Sequence, residues 1–387
     1  MAALRFSIAI LALAIGTIGL AQSDQPGVSK GRILFGQSAA LTGPAASLGL
    51  SMRDGIEAAF HEVNEAGGIH GRELALISYD DAYEPQQAIA NTERLLEDDH
   101  VFALIGAVGT PTSAAAAPIA TAASVPFIGP FTGANFLRDP ELETVVNVRA
   151  SYEQEAEEWI DYLAGDRGFR RIAILYQDDS FGNAGLAGVK RALALRDMSL
   201  VAEGTYKRNT TAVKRALLEI RKHDPEAVVI VGAYQPAASF IETARSIDFD
   251  PVFIAISFVG SQALAETLGD NRAGVMVTQV VPPPTDTKIP LVNRFREALA
   301  RTDPEAKPGF ISLEGYLVAR LVISVLEELG DTPTREGFLE LIKERQHFDL
   351  DGITLTFGPD DNQGMDRVFL TVIRPDGSFD VVPRDRS

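Results

Sequence analysis

The sequence predicts an α/β protein made of two doubly wound halves, and three observations carry that prediction. Strand and amphipathic-helix patterns alternate from Ile33 to Gly129. The same alternation starts afresh at Ile172, and a proline-dense linker, Val281 to Pro290 ("VPPPTDTKIP"), then leads into a run of helices. Strands followed by helices in this rhythm form parallel sheets covered on both faces.

In chain order, Ile33–Ala40 reads as a buried strand, Met52–Glu65 as a helix with one apolar face and Glu73–Tyr79 as a strand. Pro85–Asp98 follows as a helix, Val101–Val108 as a strand, Pro111–Ala123 as a helix and Val125–Gly129 as a strand. The second round runs through strands at Ile172–Tyr176, Leu200–Tyr206, Val228–Val231, Phe253–Ser257 and Val275–Val281. Helices at Asn183–Leu195, Ala212–Lys222 and Gln235–Ser246 stand between them. Three helical patterns follow the linker, Leu291–Ala300, Ser312–Leu329 and Arg335–Glu344. Short strands around "GPDDNQG" and "RPDGS", turn sequences that suit hairpins, close the chain.

Open parallel sheets bind ligands beyond the carboxyl ends of their strands. Two loops of glycine, proline and hydroxyl residues stand at such ends, Gly109–Ser113 and Gly129–Gly133. In the first, Thr110 is expected as N-cap and Pro111 as first helical residue, so that the N–H groups and hydroxyls of Thr112 and Ser113 face the crevice and suit an anion. The same residues also serve simply to start a helix.

Composition narrows the classes of function. At 387 residues and 46% hydrophobic the chain can bury more than one core. Met1–Ser23 has one cation, Arg5, an apolar run from Phe6 to Leu20, and small residues at Gly19 and Ala21, the pattern of a secretory signal cut after Ala21. Its apolar run is short for a membrane anchor, so no stable membrane insertion is expected. There is no cysteine, hence no disulfide and no thiol chemistry. The net charge of −18 becomes −19 when the +1 of Arg5 leaves, which argues against nucleic acid or an anionic membrane as partner.

No cofactor, metal or catalytic motif is recognisable. His61, His70, His100, His223 and His347 lack metal-ligand spacing, and no phosphate loop, dinucleotide fingerprint, zinc-protease motif or nucleophile elbow occurs. "PDDNQG" reads as a turn, not a calcium loop. The pairs Asp80-Asp81 and Asp178-Asp179 suit acid–base work or, more simply, loop solvation or helix capping.

Several stretches together resemble the type I periplasmic solute-binding proteins, specifically the branched-chain amino-acid and amide binding family of ABC importers. The residues that match are Ala40–Leu96, with "N-x-x-G-G-I-x-G" from Asn64 and "Y-D-D-x-x-x-P" from Tyr79, then Gly106–Pro118, Val125–Ala134, Arg170–Leu193 and "ISFVG" at Ile256–Gly260. The resemblance implies two Rossmann-like lobes with parallel-rich sheets joined by three crossovers. The expected organisation is a signal peptide at 1–21, an N-terminal lobe of 30–150 plus 281–357, and a C-terminal lobe of 151–280 plus 358–387.

Carried over residue by residue, the family's binding pattern falls on Thr110 and Thr112 in the first loop and on Phe131, Thr132 and Gly133 in the second. In the other lobe it falls on Phe181, Tyr234 and Ser257; Leu48 and Phe310 shape the side-chain pocket, and Tyr152 sits at a hinge crossover. One departure is chemical. Amino-acid binders of the family place a carboxylate near the position of Ser257 to pair with the ligand ammonium, and "AISFVGS" has none, leaving Asp178 or Asp179 as substitutes. With Leu48 and Phe131, this points towards an organic acid, aromatic acid or amide. The implied function is a non-enzymatic, monomeric periplasmic receptor that closes over a small ligand and presents it to an inner-membrane ABC permease. A clamp that reports to a chemoreceptor or sensor kinase is the first rival, and an exported α/β enzyme the second.

Overall fold

The computed structural model describes residues 25–384; the leader expected at 1–21 lies outside the described residues. The first sheet contains β1 (Arg32–Ala39), β2 (Glu73–Asp80), β3 (Ala103–Ile105), β4 (Phe127–Ile128) and β5 (Val145–Val146), all parallel in the order β2-β1-β3-β4-β5. Helices α1 (Ala46–Glu65), α2 (Pro85–Glu97) and α3 (Thr110–Ala122) alternate with them. Two strands are shorter than their apolar runs because Gly106 (φ 62°) and Gly129 (φ 58°) turn the backbone out of the extended region at their carboxyl ends.

The second sheet repeats the plan with β6 (Ile172–Gln177), β7 (Ala202–Tyr206), β8 (Ala227–Val231), β9 (Val252–Ala255) and β10 (Met276–Gln279). These are parallel in the order β7-β6-β8-β9-β10, the same winding as the first sheet. Every residue of β8, "AVVIV", is buried, as a central strand covered on both faces requires. The covering helices are α4 (Tyr152–Ile160), α5 (Ser180–Ala194), α6 (Lys214–Arg221), α7 (Tyr234–Arg245) and α8 (Ser261–Leu268). The sequence reading omits α4, although a capping box marks its start: Ser151 Oγ accepts from Gln154 N, and Gln154 Oε1 accepts from Ser151 N.

The chain crosses between the sheets three times, after β5, after β10 and after Thr356. Beyond the second crossing, α9 (Pro290–Thr302) and α10 (Phe310–Leu329) return to the first half and pack on α1, and α11 (Arg335–Arg345) follows. Glycines let two backbones meet: a Cβ at Gly55 would lie 1.9 Å from Ser312 O, and one at Gly315 2.3 Å from Met52 O. A hairpin, β11 (His347–Leu350) and β12 (Ile353–Thr356), turns on Asp351 (φ 52°) and Gly352 (φ 92°), as a two-residue hairpin turn demands. "GPDDNQG" closes a tight turn in which Gly358 and Asp361 pair antiparallel, but it does not join β12 to a partner strand; it lies against the first crossover, where Asn147 N donates to Asn362 O and Gly364 N to Asn147 O. The chain ends on β13 (Phe369–Ile373) and β14 (Phe379–Val381), which join the second sheet antiparallel beside β10. No described helix is long and apolar enough to cross a membrane.

Candidate functional site

The carboxyl ends of both sheets meet at one buried seam. From the first half come the loops after β1, β2, β3 and β4; from the second come those after β6, β8 and β9. The Thr110 and Thr132 hydroxyls lie 2.7 Å apart, and Thr132 Oγ1 also accepts from Ala134 N. The expected cap is displaced by one residue: Gly109, at φ 105°, caps α3, and Thr110 is already helical. As a result Ser113 N is used by Gly109 O, and Thr112 Oγ1 donates back to Val108 O and Gly109 O instead of facing the crevice. Ser113 Oγ is buried without a hydrogen bond.

Aromatic rings close the seam. Phe258 stacks on Phe131 (centroids 5.2 Å apart) and tilts against Phe181 (4.7 Å) and Tyr83 (5.9 Å), while Phe181 meets Tyr152 at 5.6 Å. All of these side chains are buried. Tyr152 also explains Gly133, where a Cβ would lie 2.5 Å from the Tyr152 ring. Leu48, Tyr234 and Ile311 converge on Gly260, where a Cβ would stand 2.5 Å from Leu48 and under 4 Å from the other two. Phe310 makes its ring contact with Phe379, 5.3 Å away, and is not joined to the seam rings. Phe258 and Tyr83 were absent from the sequence reading of the site, although both sit inside its matched segments.

The Asp80-Asp81 pair orders the turn that delivers Tyr83. Asp80 accepts from Leu41 N, Thr42 Oγ1 and Ala82 N; Asp81 accepts from Ser38 Oγ and from Tyr83 N. Burial pushes Asp81 up to about 6, against the lowering effect of the Ser38 hydroxyl. Asp178 is exposed, and Asp179 is occupied at the outer edge of the seam, where it caps α5 through Phe181 N and accepts from Gln177 Nε2 and Arg208.

The carboxylate at Ser257 comes from α4. Glu155 is fully buried and accepts from Ser257 N (2.8 Å), Ser257 Oγ (2.7 Å) and Thr278 Oγ1. Thus the apparent lack of a carboxylate at Ser257 holds only along the chain, not in space. Arg149, also fully buried, stands between Glu155 (3.5 Å) and Glu314 of α10 (3.6 Å) and donates to Ser257 Oγ. Its guanidinium lies 4.7 Å from the Phe131 ring centroid and 6.0 Å from that of Tyr152. Arg138 donates to Ala134 O and Arg149 O, both at 3.0 Å, and to the Gln363 side chain, tying the first and third crossovers together.

The electrostatics follow from burial. Desolvation would lower Arg149, but the two carboxylates outweigh it and hold the guanidinium above its ordinary value. Arg138 is pulled down to about 9, by burial first and then by the like charge of Arg149, which the opposing pulls of Tyr152, Glu314 and Glu155 do not offset. Glu314 is pushed up to about 7, by burial first, with Glu155 adding to it and Arg149 and Arg138 opposing it. Several polar atoms here make no hydrogen bond: Arg149 Nε, and Arg149 Nη1 and Glu314 Oε1, which face each other as an ion pair at 3.6 Å; the Tyr152 hydroxyl lies towards those of Thr132 and Thr110. Glu314 was legible in principle, as a lone carboxylate in the apolar run "FISLEGYLV".

Glu314 makes the stability of the fold depend on pH. Its folded value lies above the ordinary 4.5, so between about 4.5 and 7 the folded chain holds a proton that the unfolded chain has released, and stability falls as pH rises. The full shift corresponds to about 3 kcal/mol at most. Glu314→Gln is expected to melt above wild type at pH 8 and to lose that advantage at pH 4.5, measured by calorimetry; an equal difference at both values refutes the assignment.

At the outer edge of the seam Arg208, on the loop after β7, binds Glu84 of the first half (2.8 Å) and Asp179 of the second (2.9 Å). Asn209 Nδ2 donates to Ala82 O and Glu84 Oε1, and Gln177 Nε2 donates to Tyr83 Oη. The two halves are therefore latched by polar contacts separate from the threonine pair.

Comparison with known proteins agrees with this geometry. A family model described as periplasmic binding protein matches residues 33–378. Among curated proteins, "Leu/Ile/Val-binding protein homolog 7" of Brucella abortus (strain 2308) is 24% identical over 311 residues, covering 77% of each chain. Among solved structures, a possible leucine/isoleucine/valine-binding protein from Rhodopirellula baltica SH 1 is 38% identical with a TM-score of 0.87, over 91% of this chain and 96% of that one. A substrate-binding periplasmic protein from Ralstonia solanacearum is 27% identical with a TM-score of 0.84, over 90% of this chain and 99% of that one.

Proposed function

The chain belongs to the periplasmic binding protein family, and from that membership we propose that it is the solute-binding component of an ABC importer. Its ligand would be a small polar solute, an amino acid, amide or organic or aromatic acid. The lobes 30–150 plus 281–357 and 151–280 plus 358–387 would close on it as a clamp. The observation that carries this reading is the set of buried polar atoms without a hydrogen bond, on Arg149 and Glu314, at a ring-lined seam between two sheets. Buried polar groups are nearly always satisfied, and a polar guest held between the lobes satisfies these. Thr110, Thr132 and Tyr152 would hold its polar end, with Phe131, Phe181, Phe258, Leu48 and Tyr234 against its body. Binding involves no covalent step. The ligand reaches both lobes only when they are closed, so its differential affinity shifts the population to the form that a permease recognises. The leader pattern at 1–21 and the acidic surface support a monomeric periplasmic protein.

Trp159, the single tryptophan, reports on the Glu155 cluster at the seam because its Nε1 donates to Thr278 Oγ1, which also binds Glu155. Titration with a panel of amino acids, amides and organic acids is expected to change Trp159 fluorescence and reduce the radius of gyration in solution scattering. Arg208→Ala, which removes a partly exposed latch contributing about 1 kcal/mol, should weaken that affinity about fivefold and leave the ligand ranking unchanged. A panel without any fluorescence or scattering response refutes the clamp.

A further inference from the structure

We propose that Arg149 is a resident cation that makes the clamp select acids carrying a carboxylate and no ammonium. The inference deepens the clamp reading and rests on it. Where family members that bind amino acids are expected to present a free carboxylate to the ligand ammonium, this chain presents Glu155, which is already saturated. It accepts from Ser257 N, Ser257 Oγ and Thr278 Oγ1 and stands 3.5 Å from the Arg149 guanidinium. The cluster's remaining carboxyl, Glu314, has one oxygen without a hydrogen bond, but Arg149 Nη1 lies 3.6 Å from that same oxygen. A ligand ammonium would compete with the guanidinium for it, with a second guanidinium, Arg138, close behind at Arg149 O. Like charges placed together in a desolvated site are strongly disfavoured.

An anionic group meets the opposite situation. Arg149 Nε is a buried donor without an acceptor and Nη1 has only its ion-pair contact with Glu314 at 3.6 Å, on a guanidinium that lies over Phe131 and beside Tyr152. A carboxylate accepting from them completes the charge-assisted hydrogen bonds that Arg149 lacks. Phe131 and Phe258, from opposite lobes, stack directly on each other at 5.2 Å and would part to take an apolar or aromatic body on that acid.

The test is calorimetric titration of the full chain with matched pairs: L-phenylalanine against phenylpyruvate and 3-phenylpropanoate, and L-leucine against 4-methyl-2-oxopentanoate, with benzoate as an additional acid. The deaminated acid of at least one pair is expected to bind on the order of a hundredfold more tightly than its amino acid. The charge-neutral double variant Arg149→Gln with Glu155→Gln should bring that ratio to within about tenfold, whereas Arg149→Lys, which keeps the cation, should preserve most of it. The discrimination ratio separates a selective role from a structural one, since general loosening weakens both members of a pair alike. Equal or tighter binding of the amino acids by wild type overturns the proposal and leaves the clamp standing. Silence of both ligand classes in titration and in Trp159 fluorescence overturns the two together. Should the double variant fail to fold, the wild-type ratio alone decides.

Discussion

Arg149→Met is expected to lower the unfolding free energy by about 3–5 kcal/mol at pH 7.5, because it leaves Glu155 buried without its counter-charge. Glu155 is wholly inaccessible, and Arg149 is the only cation paired with it among the described residues. With Arg149 gone, Glu155 and Glu314 face each other across the space that the guanidinium filled. The loss should shrink as pH falls and the carboxyls take up protons, and adding Glu155→Gln to Arg149→Met should recover a large part of it. Urea unfolding of the single and double variants checks both statements. A single variant within 1 kcal/mol of wild type, about the measure of an exposed pair, would show that the cluster is not charged in the folded protein.

Gly315→Val should cost at least about 3 kcal/mol, and its effect originates in the first half of the molecule. A side chain there meets Met52 O, a backbone atom of α1 that cannot rotate away, while the reciprocal position, Gly55, touches Ser312 O. The α1–α10 pair can accept valine only by separating, which opens space along the largely buried face of α10. Gly31→Ala, at a position with no neighbouring atom within 4 Å and no positive φ, is the control and should lie within about 0.5 kcal/mol of wild type. Thermal melts of the three proteins are sufficient; comparable losses in both variants would remove close helix approach as the cause.

Much of the fold was legible in the sequence because its signals are local. Apolar runs such as "AVVIV" have the length of buried strands, and glycine and proline mark where each run ends. The strand-end loops were legible for the same reason, and Thr110, Phe131, Thr132, Gly133, Tyr152 and Phe181 do lie along one seam. Local cues were less reliable at the residue level. The cap of α3 moved from Thr110 to Gly109, because a glycine at φ 105° can turn the chain where a threonine cannot, and that shift turned Thr112 inward.

The alternating pattern, the restart at Ile172 and the family motifs together determined the architecture and the line along which the strand-end loops meet. Only the tertiary structure decided the charge of that line. Arg149, Glu155 and Glu314 are carried by a crossover, α4 and α10, which are distant or unremarkable in the sequence and meet only when the chain has crossed between the sheets. Secondary structure depends on neighbours along the chain, so composition and period reveal it. The field inside a desolvated cleft depends on which distant groups share it, and that becomes visible only once they are packed side by side.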